Sequence, residues 1–174
     1  RIANCSGYYG DKLSAALEMI EGGPIDVLTG DYLAELTMSI LFSQKEKNPQ
    51  AGYVGTFLKQ VRQVIAPCLE QNIKIVTNAG GLNPKAMAAA VETLVAELGL
   101  QAKVAYIDGD NLIPRLQELE NAGQTLTNID TGVALNQSTH QPATANVYLG
   151  AWGIKEALDQ GADVVICPRV TDAA

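Results

Sequence analysis

The chain has little of what several large functional classes require. Its 174 residues hold 12 Lys and Arg against 19 Asp and Glu, giving a net charge of −7 and an isoelectric point near 4.6. This charge has the wrong sign for a protein that neutralises phosphate backbones. No apolar run is long enough to span a bilayer, and the first residues lack the basic, apolar and small-residue order of a secretory signal. We therefore expect a cytoplasmic protein that has neither nucleic acid nor a membrane as partner.

Cysteine, histidine and the common nucleotide-binding loops are also scarce. Cys5, Cys68 and Cys167 lie far apart, which suits reduced thiols better than a disulfide framework or a zinc knuckle. Cys5 and Cys167 end predicted strands, but a thiol nucleophile usually needs a base beside it. The one histidine, His140, falls in an irregular segment. The absence of a Walker loop and of a GxGxxG motif after a strand disfavours Walker-type nucleotide hydrolysis and Rossmann dinucleotide binding.

What the chain does have is the composition of an ordinary globular domain. Hydrophobic residues make up 47% and charged residues 18%, with a mean hydropathy of +0.06. This composition excludes an intrinsically disordered chain, and the length permits a core without disulfide or metal support. We expect a single α/β domain over residues 1–174. Strand-like residues at the start and a polar loop at the end predict that it is a piece of a longer protein.

Apolar, β-branched segments alternate along the chain with segments of helical period. The predicted strands are residues 1–3, 25–28, 73–77, 103–107 and 163–167. This alternation predicts a parallel sheet of about five strands with helices on both faces, flavodoxin- or Rossmann-like; a fragment of a larger α/β or barrel domain is the alternative. If the strand order is the common 2-1-3-4-5, the switch point lies between strands one and three. Residues 4–11 and 77–83 would then line the crevice.

Two helices carry specific expectations. Residues 84–98 keep a 3.6-residue apolar period, and Gly99 stands at the expected stop position. After the second predicted strand, the spacing of Leu33, Leu36 and Ile40 predicts one apolar helix face that packs on the core.

The segment 73–84, IKIVTNAGGLNP, combines a strand, a glycine turn and a helix start. Asn83 is a preferred N-cap, and Pro84 suits the first helical position. Gly80 and Gly81 give the turn its backbone freedom. We expect free N–H groups to point outward from this turn and to bind an anion such as a phosphate or carboxylate. A plain strand-to-helix connection is the alternative.

The carboxyl ends of the five predicted strands are rich in Asp, Asn, Gly and Thr, which predicts one shared polar cleft because parallel strands end at the same edge. The candidate catalytic acids are Asp31, Asp108 and Asp172. Together with Asp110 they could give two or three carboxylates to Mg²⁺, although an Asp before a helix is often only an N-cap. Arg169 could bind a carboxylate or pair with a nearby Asp. The candidate substrate-binding residues are Asn4, Ser6, Asn78, Gly80, Gly81, Asn83, Arg169 and Thr171.

Five separated motifs resemble the acyclic terpene utilisation (AtuA) family. They are NCSGYYGD, GGPIDVLTGDYLAELTM, TNAGGLNP, ANVYLGAWGI and GADVVICPRVTDA, and they occur in the order expected for the amino-terminal part of a longer family member. In Cys167-Pro168-Arg169 the chain departs from the more usual small or glycine residue before the Arg. This departure weakens a catalytic role for Cys167.

The resemblance implies a role in the catabolism of acyclic isoprenoids such as citronellol and geraniol, whose intermediates are branched acyl-CoA thioesters. We expect a lyase or hydratase step on such a thioester or its carboxylated derivative. The sequence does not identify a cofactor, and a divalent metal ion is the candidate. The alternative is a non-catalytic binding or assembly component that works with a biotin-dependent acyl-CoA carboxylase. A metal-dependent hydrolase is a third possibility. A homo-oligomer is also expected.

Overall fold

A computed structural model of the chain describes residues 1–139 and 141–171. Its strands are β1 (Ile2–Asn4), β2 (Val27–Gly30), β3 (Lys74–Thr77), β4 (Val104–Tyr106) and β5 (Val164–Ile166). Its helices are α1 (Ala15–Glu21), α2 (Glu35–Lys47), α3 (Gly55–Glu70), α4 (Pro84–Glu97), α5 (Leu116–Asn121) and α6 (Trp152–Asp159), with 3-10 turns at Ile113–Arg115 and Leu135–Gln137. Within the described ranges, none of these helices combines the length and apolarity needed to cross a membrane.

The five strands form one parallel sheet, which confirms the predicted α/β class, but their order is β1-β2-β3-β5-β4. The condition on which the predicted crevice depended, the strand order 2-1-3-4-5, is therefore not met. Strand β1 pairs with β2 in the register Ile2 with Val27, so β1 is an edge strand and β2 separates it from β3. Residues 4–11 and 77–83 therefore do not flank a switch point, because β2 lies between their strands. Successive strands are added toward the same edge of the sheet up to β4. Only β5 is placed back toward β1, because it lies between β3 and β4. Among the residues that the structure describes, β1 and β4 each pair with a strand on one side only, so the sheet is not a closed barrel.

One face of the sheet carries the main core. Side chains alternate along each strand, and the inward set includes Leu28, Ile75, Val164 and Ile166. Helices α1 to α4 contribute the other half of this core through buried residues such as Val61. Burial of this apolar surface is the principal stabilising contribution to the fold.

The opposite face is covered unevenly. Helix α6 packs Ile154, Ala157 and Leu158 around Val165 of β5. No described helix packs in the same way over the β1 edge, where Ile2 remains 74% exposed. The helices therefore lie on both faces as predicted, but one half of the second face is open.

The local predictions for α4 hold and the one for α2 fails. The α4 helix begins at Pro84 behind Asn83, and Gly99 adopts φ +68° just beyond its end, as in a left-handed C-terminal cap. In α2, however, Leu36 is 74% exposed, and the buried residues are Thr37, Met38 and Leu41. The predicted stripe began at Leu33, which precedes the extended residue Ala34, so a helical period could not be carried across that break.

Candidate functional site

A groove of about 430 Å³ lies on the open face of the sheet, at the carboxyl ends of β1 to β3. We call it the sheet groove. It is lined by Asn4, Thr29, Gly30, Asp31, Val76, Thr77, Asn78, Ile154, Cys167, Val170 and Thr171. Val76 of β3 and Ile154 of α6 give it an apolar floor, and Asp31 is the one charged residue in this described lining. Four of the sequence-predicted site residues, Asn4, Asp31, Asn78 and Thr171, therefore meet in one place.

Asp31 and Asn78 form the best-defined polar contact of the groove. They follow the neighbouring strands β2 and β3, so the parallel register brings them side by side. The Asn78 Nδ2 donates to Asp31 Oδ1 at 2.5 Å, and Asn78 Oδ1 accepts the N–H of Tyr32 at 2.9 Å. Asn78 is only 6% exposed. The two hydrogen bonds hold both ends of its side-chain amide.

The Asp31 carboxylate is held through one of its two oxygens. Oδ1 accepts from Asn78 and, at 3.3 Å, from the N–H of Leu33. Within the described part of the chain no donor lies on Oδ2, and the Asp31 residue is exposed. A carboxylate oriented through Oδ1 and accessible through Oδ2 is suited to accept or return a proton.

Asn4 and Thr171 line the groove, whereas Ser6 is not part of the lining and contacts the loop that carries Asp31. Asn4 Oδ1 lies 3.4 Å from the Thr29 hydroxyl, and the Thr171 hydroxyl donates to the Leu149 carbonyl at 3.3 Å. Ser6 is buried; its hydroxyl bonds to the Tyr8 carbonyl, and its own carbonyl accepts the Asp31 N–H at 3.0 Å. Ser6 therefore orients the loop that carries the acid.

Arg169 is buried and does not belong to the groove lining. Its Nη1 donates to the Leu33 carbonyl at 3.3 Å, and its guanidinium carbon lies 4.2 Å from the centre of the Tyr148 ring, a cation–π contact. The Tyr148 hydroxyl in turn donates to Glu35 Oε1 at 2.8 Å. Arg169 thus anchors the connection between β2 and α2, which carries Asp31, rather than lining the groove.

The glycine turn after β3 has no outward-pointing amides at its two glycines. The Gly80 N–H donates to the Cys167 carbonyl at 3.1 Å, and the Gly81 N–H donates to the Asn78 carbonyl at 3.1 Å. Both glycines are buried. A Cβ at Gly80 would lie 2.5 Å from the Cys167 carbonyl oxygen. The expectation of free N–H groups at this turn is therefore wrong. Gly80 is needed for close packing against the end of β5, whereas a Cβ at Gly81 would clash with Leu41 of α2.

Asn83 also has structural partners, as its N-cap prediction implies. Its Oδ1 accepts the N–H of Ala86 at 3.3 Å, and Pro84 occupies the first helical position. Its Nδ2 donates to the carbonyls of Pro49 and Ala51. Asn83 therefore ties the start of α4 to the loop after α2, and it is not among the lining residues of the groove.

Asp31 and Asp108, the two candidate catalytic acids that the structure describes, do not converge. Asp108 is exposed and outside the groove, and Asp172, like His140, lies outside the described residues. Within residues 1–139 and 141–171, no three His, Cys, Asp or Glu side chains come together as metal ligands. Asp31 and Asp108 therefore do not form the expected carboxylate cluster with Asp110.

Asp110 is the acid that sequence reasoning undervalued. It is buried, and burial raises the pKa of its carboxyl group, opposed by a hydrogen bond from Asn146 Nδ2 to Oδ2 at 2.7 Å. Asp110 is not a helix cap, because the following 3-10 turn begins only at Ile113 and has no side-chain cap. Asn146 is the hydrogen-bond partner of Asp110 in the folded chain. Because the two residues lie far apart in the sequence, no local pattern predicts this pairing.

The cysteines are unsuited to nucleophilic attack. Cys5, Cys68 and Cys167 are free and buried, and burial raises the pKa of the Cys167 thiol to about 12. Because the thiolate is the reactive form, Cys167 stays protonated at neutral pH even though it borders the groove.

Comparison with protein families identifies a relationship that covers the chain. The family model described as Acyclic terpene utilisation family protein AtuA matches residues 1–174, the whole chain. No curated protein and no solved structure gives a match.

Proposed function

The chain belongs to the acyclic terpene utilisation (AtuA) family, and we propose that its sheet groove binds a branched acyl-CoA thioester for a hydratase or lyase step in which Asp31 transfers the proton. The observation that carries this proposal is the Asp31–Asn78 pair at the polar end of a groove with an apolar floor.

The groove suits the acyl end of such a substrate. A branched aliphatic chain can lie against Val76, Ile154 and Val170, and its burial contributes about 25 cal/mol for each Å² of apolar surface removed from water. Asp31 is the one charge in the described lining, so the neutral thioester fits better than a carboxylated derivative. Arg169 and the two turn glycines, which were expected to meet an anionic group, have other contacts. The phosphates of coenzyme A would remain outside the groove.

The proposed chemistry is addition of water to an α,β-unsaturated thioester, or its reversal. Asp31 Oδ2 accepts a proton from water as the water oxygen bonds to the β-carbon and the double-bond electrons move toward the carbonyl. The same proton then passes to the α-carbon, so one water is added and Asp31 ends the cycle ionised. Asn78 keeps Oδ1 occupied, which leaves Oδ2 to handle the proton.

The test is incubation of the full-length protein with saturated, unsaturated and carboxylated branched acyl-CoA esters, followed by mass spectrometry. We expect gain or loss of one water with an unsaturated or β-hydroxy ester. Asp31→Asn should lower the rate by about 10²-fold or more, whereas Asp108→Asn, a matched change at an exposed acid outside the groove, should not. Absence of turnover with every ester, or equal losses in both variants, would refute the proposal.

A non-catalytic assembly component that works with an acyl-CoA carboxylase is the second candidate. It is favoured by large apolar side chains that the fold leaves in water, with Ile2 and Leu36 each 74% and Trp152 83% exposed, since such surfaces often mark protein contacts. Co-purification with the carboxylase distinguishes the two. Loss of the complex in Trp152→Ala but not in Asp31→Asn, with no turnover in either, would favour assembly.

A further inference from the structure

A second pocket, of about 390 Å³, lies between helix α2 and the segments that follow β4 and precede α6. We call it the α2 pocket. It is lined by Phe42, Lys45, Glu46, Pro49, Leu82, Asp110, Asn111, Ile113, Ala143, Thr144 and Asn146. None of these residues lines the sheet groove, so the two sites have separate walls.

The polar residues that line the α2 pocket offer both hydrogen-bond donors and an acceptor. The buried Asp110 carboxyl group, bonded to Asn146 at 2.7 Å, supplies the acceptor. Lys45 and the Thr144 hydroxyl supply donors. The Lys45 ammonium is held on the Leu82 carbonyl at 2.8 Å, which uses one of its three N–H groups. A ligand group that both donates and accepts matches these residues.

The charges of the pocket favour a neutral ligand. Lys45 is half-buried and Asp110 is buried, so one charge of each sign lies within the wall, while Glu46 is exposed at the rim. Because charges of both signs lie in the wall, an ion of either sign would meet a like charge as well as an opposite one. An ion that enters the pocket would also lose hydrating water, and no single opposite charge would compensate for that loss.

The volume and the apolar part of the wall indicate the size and chemistry of the ligand. Phe42, Leu82 and Ile113 are the large apolar residues of the lining. At roughly 30 Å³ for each water-sized group, 390 Å³ corresponds to about a dozen non-hydrogen atoms. A hydroxyl group satisfies the donor and acceptor of the polar lining residues, whereas a ketone lacks the donor.

We propose that the α2 pocket is a second ligand site that takes a small neutral aliphatic alcohol, with its hydroxyl group between Asp110 and Lys45 and its chain along Phe42 and Leu82. This site goes beyond the proposed function, and its test does not depend on the reaction in the sheet groove.

Heptan-1-ol, heptanoate and heptylamine test the proposal at neutral pH, because they share one chain and differ only in the charge of the head group. Titration of the protein by calorimetry should show saturable binding of heptan-1-ol. The two ions should bind about tenfold or more weakly, because an ion must lose its hydration on entering the pocket.

Two variants place the binding site. Ala143→Trp fills the mouth of the pocket from an exposed position and should weaken heptan-1-ol binding by about tenfold or more, because a bulky ring takes the ligand's space. Ala122→Trp makes the same change at an exposed alanine outside the pocket, and it should leave binding unchanged, as should Asp31→Asn. Equal affinity for all three probes, no saturable binding, or equal weakening in both tryptophan variants would overturn the proposal.

Discussion

Replacement of Gly80 by alanine tests why the turn after β3 contains glycine. The added Cβ would lie 2.5 Å from the Cys167 carbonyl oxygen, 2.8 Å from Pro84 Cβ and 2.9 Å from Ile166 Cγ2. The carbonyl cannot move aside at low cost, because it accepts the Gly80 N–H and belongs to the residue whose own N–H pairs with Thr77. Separation of β3 from β5 at this point is the expected response.

The magnitude follows from two effects. Overpacking in a well-packed interior costs about 1–3 kcal/mol, and a weakened Gly80–Cys167 hydrogen bond adds about 1 kcal/mol. We expect Gly80→Ala to lower the free energy of unfolding by roughly 2–4 kcal/mol, a large part of the total stability of an ordinary domain. Urea denaturation with linear extrapolation measures this change, provided that the slope is unchanged.

Gly55→Ala is the matched control, because nothing lies within 4 Å of a Cβ at that first residue of α3. It should be neutral or stabilising by up to about 1 kcal/mol, since alanine loses less backbone freedom than glycine in a helix. A loss below about 1 kcal/mol in Gly80→Ala would refute the packing argument. Inorganic phosphate should not raise the melting temperature of the natural chain; a rise that Gly80→Ala abolishes would restore the anion-binding interpretation.

Three further predictions concern other residues. Burial raises the pKa of Asp110, so the folded chain retains a proton that the unfolded chain has lost; stability should fall as pH rises from about 4 through the raised pKa, and melting curves of Asp110→Asn should lack that decline. Asn83→Ala removes the α4 cap and two bonds to the preceding loop, which should cost about 1–3 kcal/mol by urea denaturation; an unchanged midpoint would contradict this. The three buried thiols, including Cys167 with its pKa of about 12, should resist iodoacetamide in the native chain and react in urea, as mass spectrometry would show; rapid native labelling would contradict their burial.

Local signals in the sequence predicted local structure well. The Asn83-Pro84 pair marked a helix start because its capping chemistry acts within one turn, and Gly99 marked the end of the same helix. The alternation of strands and helices gave the parallel sheet because each segment carries its own period. Leu36 was misplaced because the helical period was extended across the non-helical Ala34.

Contacts between distant segments were harder to predict. Strand order depends on which crossovers pack together, and no short-range pattern records that β1 pairs with β2. The meeting of Asp31 and Asn78 followed from the rule that parallel strands end at one edge, and the structure places them in hydrogen-bond contact. The partners of Gly80 and Asp110 are Cys167 and Asn146, far away in the chain, so the packing role of the glycine and the burial of the acid could not be read from their neighbours.

The central claim is that the sheet groove receives the acyl chain of a thioester substrate. A branched acyl thioester of pantetheine with a diazirine on its chain, photolysed with the full-length protein, tests this claim by peptide mapping of the adducts. We predict adducts on the groove floor at Val76, Ile154 or Val170, suppressed by excess unlabelled thioester. Competable adducts on Phe42 or Ile113 of the α2 pocket instead, or no competable adduct in the groove, would contradict the account.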